Sequence, residues 1–194
     1  MCGITGIYRF DKRPISESDI RKMTNRMVHR GPDDDGIFVE GALGIGMRRL
    51  SIIDVDGGHQ PLTNEQGNLH LVMNGEIYNY IELRQELTAK GHKFSTGSDA
   101  EVILHLYEDK GFGALDELNG MFAFALYDSN DHSLWVARDR LGIKPLFFAK
   151  TDEYFAFSSD IKSLRTQHPS SVSCERTIQY LTLGYVPEEH TMWD

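Results

Sequence analysis

The chain has 194 residues, of which 40% are hydrophobic, and it carries 20 Lys and Arg against 29 Asp and Glu for a formal net charge of −9. This length and composition predict a single globular domain with a substantial core. The acidic balance, with no run of Lys or Arg, argues against binding to nucleic acid or a membrane surface, and the longest apolar run is too short to span a bilayer. We therefore expect a cytoplasmic protein without a signal peptide.

The first half of the chain alternates between strand and helix patterns. Strands are predicted at 2–10, 35–39, 43–53 and 68–79, and helices at 16–28 and 80–90. Ser16 is a suitable N-cap for the first helix, and Gly91 is a suitable residue to end the second. Gly41 joins two of the strands, and Gly75 is expected to break the strand in which it lies.

The second half begins with the strongest helix pattern and continues with short strands. The helix is predicted over 96–111, with Ser98 and Glu101 as an S-x-x-E capping box and Gly111 at its end. Strands are predicted at 121–128, 133–138, 146–150 and 154–158. Short strands in quick succession pair mostly as antiparallel hairpins, because a parallel pair needs a long crossover. Together the elements predict an α+β domain of antiparallel sheets with helices packed outside.

The pattern changes in the last part of the chain. A polar stretch at 166–173 precedes a short helical segment at about 174–183. We expect residues 1–165 to form the domain and residues 166–194 to connect it to another one. The alternative is an ordinary C-terminal arm packed on its own domain, and the sequence leaves both open.

The two cysteines, Cys2 and Cys174, are too few for the disulfide framework of a secreted domain. Neither lies in a Cys/His spacing typical of zinc, so no metal site is expected. The histidines of predicted loops are interpreted as solvated or as bracing their loops; they are His29, His59, His92 and His132.

Cys2 directly follows Met1, and this position gives it a chemical property that an internal cysteine lacks. If Met1 is removed, the α-amine of Cys2 becomes free, with an ordinary pKa of about 7.7–8.0. Such an amine can exchange protons with the thiol, whose thiolate form is the nucleophile. The position of Cys2 alone hardly favours a catalytic nucleophile over the alternative interpretation, a small hydrophobic residue buried on a strand.

Seven segments along the chain decide between these interpretations. They are MCGITGIYRF at 1–10, HRGPDDDG at 29–36, RRLSIID at 48–54, MNGEIYNY at 73–80, TGSDAEVI at 96–103, LNGMFAFALYD at 118–128 and RDRLGIKPLF at 138–147. In this order they resemble the glutamine-hydrolysing domain of class II glutamine amidotransferases, which are N-terminal nucleophile hydrolases. The spacing is most similar to the N-terminal half of glutamine-dependent asparagine synthetase. The resemblance implies a four-layer αββα sandwich of two antiparallel sheets with helices outside.

The resemblance also implies roles for individual residues. It makes Cys2 the nucleophile that attacks the side-chain amide carbon of glutamine, with Asn74 and the N–H of Gly75 as donors to the tetrahedral oxyanion. On the residues alone, Asn74 and Gly75 would be interpreted as a hairpin turn. Arg49 would bind the α-carboxylate, and Asp99 and Glu76 would lie near the ammonium, although an acidic residue such as Asp99 also suits the first turn of a helix. The other residues carried over are Ser51 and Ile52, whose main chain would line the pocket, and Arg30 behind it.

Further residues of the same segments are predicted to be structural. Arg48 should point away from Arg49 if both lie on a strand, because side chains alternate between the two faces. The apolar residues expected in the core are Met121, Phe122, Phe124 and Leu126.

The resemblance implies L-glutamine as the substrate and a C-terminal synthetase domain of the same polypeptide as the partner that uses the ammonia. No cofactor is expected for this domain, and ATP and Mg²⁺ are expected only in the synthetase domain. The nitrogen acceptor, aspartate or another substrate, stays open, as does the oligomeric state, with a homodimer as one option. The alternative from another functional class is a non-catalytic module kept for its contacts with a partner.

Overall fold

A computed structural model of the chain describes residues 1–54, 57–188 and 190–193. The strands are β1 Gly3–Arg9, β2 Asp34–Glu40, β3 Leu43–Arg49, β4 Leu62–Thr63, β5 Leu69–Ile77, β6 Gly120–Asp128, β7 Ser133–Arg138, β8 Phe147–Lys150 and β9 Tyr154–Ser158. The helices are α1 Glu17–Asn25, α2 Tyr80–Ala89, α3 Glu101–Lys110, α4 Ala114–Glu117, α5 Ile161–Leu164 and α6 Cys174–Leu183, with a 3₁₀ turn at Gly111–Gly113. Of the helices described, none has the length and apolar character needed to cross a membrane.

The strands form two antiparallel sheets. Sheet A has the order β2-β3-β1-β9-β8, and sheet B has the order β4-β5-β6-β7. In sheet A, Gly3 of β1 pairs with Arg48 of β3. In sheet B, Gly75 of β5 pairs with Phe122 of β6. β1, which directly follows Cys2, therefore lies next to β3, which carries Arg48 and Arg49. β5, which carries Asn74 and Gly75, lies next to β6.

Three buried clusters show how the layers stack. One lies between the sheets and includes Ile4 of sheet A and Val72 of sheet B. A second joins sheet B to α2 and α3 through residues such as Leu87 and Leu104. The third joins sheet A to α1, whose Ile20 is fully buried. This order of helix, sheet, sheet and helix confirms the expected αββα sandwich.

Local sequence explains where several helices begin and end. The Ser16 side chain accepts a hydrogen bond from the N–H of Asp19, and the Asp19 side chain accepts one from the N–H of Ser16, which completes a capping box at α1. Gly91 follows α2 at φ 104°, and Gly184 ends α6 at φ 79°. Glycine adopts such positive φ values at little cost, so both helices end as expected.

Two strand predictions are wrong in their bounds. β3 ends at Arg49 instead of continuing to residue 53, because the following chain folds back to place the carbonyl oxygens of Ile53 and Asp54 within hydrogen-bond distance of the Arg49 side chain. β5 does not break at Gly75 but continues beyond it, since β6 pairs with it through this region. Asn74 and Gly75 therefore lie within a strand and do not form a hairpin turn.

The capping box predicted for α3 is also wrong. Glu101 is the first residue of the helix, and its carboxylate accepts hydrogen bonds from the N–H groups of Ser95 and Thr96, which precede the helix. Asp99 consequently lies before the helix rather than in its first turn. Its carboxylate instead accepts a hydrogen bond from the N–H of Ile77.

Residues 174–183 form α6 as predicted. The segment predicted to connect domains, 166–194, includes Glu189 and Asp194, which lie outside the described residues. Within the described part of this segment, a β-bridge joins Val172 to Trp193.

Candidate active site

Four strands bring the motif residues to one end of the space between the sheets. Side chains alternate along a strand, so a residue two positions from a core residue lies on the same face of the sheet. Buried residues between the sheets include Ile4 of β1, Met47 of β3, Val72 of β5 and Ala123 of β6. Two positions from each of these lie, in the same order, Cys2, Arg49, Asn74 and Met121, and all four line one pocket of about 100 Å³. The strand period explains why these four residues share the inner faces of the sheets, and strand pairing brings them to one end.

The pocket contains most of the residues that the sequence singles out. Those that line it are Cys2, Arg49, Ile52, Asn74, Gly75, Glu76 and Asp99. Ser51 does not line it; its N–H donates to the Asp33 carboxylate at 2.9 Å. Met121, expected in the core, is half-buried and lines the pocket instead, because it shares the inner face of β6 with Ala123.

The thiol of Cys2 is held at the end of β3. Its Sγ lies 3.4 Å from the N–H of Leu50 and 3.6 Å from the carbonyl oxygen of the same residue. Nε of Arg30 donates to the Cys2 carbonyl oxygen at 3.0 Å. The thiol is thus half-buried in the pocket wall, and its backbone is fixed from behind by the loop that follows α1.

Asn74 supplies a buried donor that no atom of the described residues uses. The side chain is 1% exposed, and its Nδ2 has no hydrogen-bond partner among the described residues. An unpaired buried amide costs about 1–3 kcal/mol, so it is kept only where something repays the cost. A carbonyl or oxyanion oxygen in the pocket would satisfy it.

The N–H of Gly75 points to the same side of β5 as the pocket. N–H groups of a strand alternate between its two edges. Those of Met73 and Ile77 donate to the Gln60 and Asp99 side chains, away from β6. Gly75 lies two residues from each of them, so its N–H points to the same edge of β5. Gln60 and Asp99 both line the pocket. The Gly75 N–H therefore lies on the pocket edge of the strand, next to Asn74.

Gly75 must lack a side chain because β6 passes very close. A Cβ at this position would lie 2.4 Å from the carbonyl oxygen of Met121 and 2.6 Å from Cα of Phe122. Both are backbone atoms that cannot turn aside, so only glycine allows this pairing.

Arg49 provides a cation at the pocket wall. The side chain is 5% exposed and donates to the carbonyl oxygens of Ile53 at 2.9 Å and Asp54 at 2.7 Å. Its neighbour Arg48 points to the other side of sheet A, where it contacts Asp35 and Asn25. The alternation predicted for the two arginines is the one observed.

Asp99 and Glu76 place negative charge in the same pocket. Asp99 is 5% exposed, and its Oδ2 accepts a hydrogen bond of 2.8 Å from the N–H of Ile77. Burial raises the pKa of the Asp99 carboxyl, and the charge of Glu76 raises it further. A carboxylate that loses solvation in this way gains from a cation brought into the pocket.

Lys144 and Gln60 are among the pocket residues that the sequence predictions did not assign to the site. Lys144 is 7% exposed, and its Nζ lies 3.9 Å from Sδ of Met1. Gln60 is 5% exposed and accepts from the N–H of Met73 at 2.7 Å. Lys144 lies within a recognised segment, so that segment could have indicated it, whereas Gln60 lies outside all seven. No group of metal ligands was found at this pocket among the described residues; the one such group, His92, His105 and Glu108, lies elsewhere.

Comparisons with known proteins point to one family. A family model described as a glutamine amidotransferase domain matches residues 1–194. Asparagine synthetase (glutamine-hydrolyzing) 1 of Bacillus subtilis is 45% identical over 198 residues, which cover 99% of this chain and 31% of that protein. Putative asparagine synthetase (glutamine-hydrolyzing) 2 of Methanocaldococcus jannaschii is 36% identical over 216 residues, which cover 100% of this chain and 41% of that protein. This chain thus spans less than half the length of these relatives.

Among solved structures, glutamine phosphoribosylpyrophosphate amidotransferase from Bacillus subtilis has a TM-score of 0.69 at 24% identity, covering 84% of this chain and 42% of that one. This likeness is one of fold. Because the family model matches the whole chain, the chain belongs to the glutamine amidotransferase domain family.

Proposed function

We propose that this domain hydrolyses L-glutamine to glutamate and ammonia with Cys2 as the nucleophile. The observation that carries the proposal is the unpaired Nδ2 of Asn74, buried in the wall of the pocket that Cys2 also lines. A donor held without a partner beside a thiol is what stabilisation of an oxyanion requires. The N–H of Gly75 supports this role as a second donor on the same edge of β5.

The reaction begins after Met1 has been removed. The free α-amine of Cys2 takes the thiol proton, and the thiolate attacks the side-chain amide carbon of glutamine. Negative charge on the former carbonyl oxygen is stabilised by Asn74 and Gly75. The carbon–nitrogen bond then breaks, and the amine returns its proton to the leaving ammonia. A water molecule hydrolyses the resulting thioester, which releases glutamate and restores the thiol.

Substrate orientation follows from the charges of the pocket. We assign the α-carboxylate of glutamine to Arg49, which has the planar donor geometry that suits a carboxylate. Asp99 and Glu76 are assigned to the α-ammonium group. Ile52 lines the same pocket. Arg30 and Ser51 act from outside it, Arg30 through its hydrogen bond to Cys2 and Ser51 through its hydrogen bond to Asp33.

The destination of the ammonia is a second part of the proposal. Because the relatives are asparagine synthetases of which this chain matches about a third, we propose that residues 1–165 form the glutaminase domain and that 166–194 lead to an ATP-dependent synthetase domain. ATP and Mg²⁺ belong to that domain, and aspartate is the proposed acceptor. α6 supports this view, since it contains no buried residue and exposes Ile178 and Leu181 for packing against a further element.

Ammonia release from glutamine tests the first part. Protein whose loss of Met1 is verified by mass spectrometry should release ammonia, and Cys2→Ala should abolish the release while Cys174→Ala retains it. Activity that survives in Cys2→Ala would remove the nucleophile assignment. If the parent protein without Met1 releases no ammonia, either as the isolated domain or within the longer protein, the result would favour a non-catalytic module.

A further inference from the structure

A second cluster of reactive side chains lies in a surface cleft of about 670 Å³ that shares no lining residue with the Cys2 pocket. His92, which follows α2, and His105 and Glu108 of α3 each bring one potential ligand atom within 4.8 Å of the others. Oε2 of Glu108 lies 2.9 Å from Nδ1 of His105 and 3.3 Å from Nδ1 of His92. Glu65 adds an Oε2 at 3.9 Å from Nδ1 of His105. Two ring nitrogens and one carboxylate therefore lie close together, and the Glu65 carboxylate lies at the edge of this group.

The spacing of these atoms fits a tetrahedral metal site. With metal–ligand bonds of about 2.0–2.1 Å, neighbouring ligand atoms of a zinc site lie roughly 3.3 Å apart. The two distances from Glu108 to the rings, 2.9 and 3.3 Å, are close to this value. The Glu65 side chain is 41% exposed and has room for the small shift that its longer distance requires. Imidazole and carboxylate ligands together suit zinc among the divalent cations.

His92 directs its other ring nitrogen at a carboxylate. Nε2 of His92 lies 2.8 Å from Oδ1 of Asp109, whereas the buried Nε2 of His105 lies 3.8 Å from Oε1 of Glu101 and has no hydrogen-bond partner among the described residues. A ring that holds its proton on Nε2 presents the lone pair of Nδ1 to the cluster. Metal-binding histidines are oriented by carboxylates in this same way.

Glu108 is oriented as well. Nδ2 of Asn64 donates to its Oε1 at 2.8 Å, which leaves Oε2 toward the rings. Asn64 is 6% exposed and is itself fixed by the N–H groups of Asn68 and Leu69, which donate to its Oδ1. His105 is 1% exposed, whereas Glu108 lies at the protein surface and lines the cleft.

We propose that Glu65, His92, His105 and Glu108 bind one divalent cation of the zinc type. The ion joins the segment after α2 to α3, the helix that directly follows Asp99 of the glutamine pocket. The proposal departs from the expectation that the chain has no metal site. It is also independent of the proposed glutaminase activity, since none of its ligands lines that pocket.

Zinc titration into metal-free protein tests the site by calorimetry. The titration uses untagged Cys2→Ala/Cys174→Ala protein, because free thiols also bind zinc. We expect one ion per chain and a Tm that rises with zinc concentration. His92→Ala and Glu108→Gln should each weaken binding at least about 10-fold, the lower end of the effect known for outer partners of metal ligands.

His59→Ala is the matched control, since His59 is an exposed histidine paired with Asp34 outside the cluster. It should leave zinc affinity unchanged. Circular dichroism of His92→Ala and Glu108→Gln verifies that both variants fold. The proposal is overturned if the parent protein binds no stoichiometric zinc, or if both folded variants bind it as tightly as the parent.

Discussion

Nε of Arg30 donates a hydrogen bond of 3.0 Å to the carbonyl oxygen of Cys2. The same side chain passes the next residue closely, since a Cβ on Gly3 would lie 3.3 Å from Cδ of Arg30. Arg30 does not line the pocket and so cannot touch a substrate bound there. It is a positioning residue that holds the backbone of the proposed nucleophile.

Replacing Arg30 by Lys should lower kcat and leave KM for glutamine unchanged. The loss should be about 2- to 10-fold, which corresponds to one hydrogen bond of ~0.5–1.5 kcal/mol. Steady-state kinetics of ammonia release measure it. Arg48→Lys is the control, because the Arg48 side chain donates to Asp35 and Asn25 rather than to Cys2. Equal losses in both variants would indicate general destabilisation and contradict the positioning role.

Asn74→Ala should lower kcat by about 10²–10³-fold, the usual cost of one oxyanion donor, with little change in KM. Its Tm should stay near that of the parent, because Nδ2 makes no hydrogen bond within the described part of the chain. Asn64→Ala should behave in the opposite way. It removes acceptors for the N–H groups of Asn68 and Leu69 and should lower Tm while kcat is retained. A kcat unaffected by Asn74→Ala would refute the donor assignment.

KM for glutamine should rise as the pH falls through the raised pKa of Asp99. The protonated carboxyl no longer attracts the substrate ammonium group, whereas the ionised one does. Asp99→Asn should raise KM by roughly 10- to 100-fold, as expected from the loss of a charge-assisted hydrogen bond of ~1.5–3 kcal/mol. The variant should also lose this acid-side dependence of KM. A parent-like pH profile in Asp99→Asn would assign the titration to another group.

The same substitution should stabilise the substrate-free fold at neutral pH. Because the folded-state pKa of Asp99 lies above its unfolded value, its contribution to stability is present below the unfolded pKa and is lost as the pH rises through the folded pKa. Asparagine keeps an oxygen for the N–H of Ile77 without the buried charge. Thermal unfolding at acidic and neutral pH should show a gain in Tm for Asp99→Asn that grows with pH. A lower Tm of the variant than of the parent at neutral pH would contradict a destabilising buried charge at Asp99.

A glutamine-like electrophile should modify Cys2 faster than Cys174, although exposure alone favours the opposite order. Cys174 is exposed and Cys2 is half-buried. Peptide mass spectrometry should find saturable labelling at Cys2 that glutamine blocks. A plain alkylating reagent without the glutamine portion serves as the comparison and should prefer Cys174. Equal labelling of the two thiols by the glutamine-like reagent would argue against an activated Cys2.

Local sequence was sufficient wherever a residue's neighbours along the chain decide its structure. The N-cap at Ser16 and the end of α2 before Gly91 follow from capping preferences, and the opposite faces of Arg48 and Arg49 follow from the strand period. The family can also be recognised from the order and spacing of the motifs, because both are read from the sequence without knowledge of three-dimensional contacts.

Tertiary structure alone decided what depends on distant partners. β5 continues through Gly75 because β6 pairs with it, and the pairing directs the Gly75 N–H to the pocket edge. Gln60 reaches the pocket, and His92 meets His105, only through contacts between separate elements. The sequence thus determined the elements and the family, because these rest on short-range periodicity. The fold decided which donors and ligands converge, because convergence is set by strand pairing and layer packing between residues far apart in the chain.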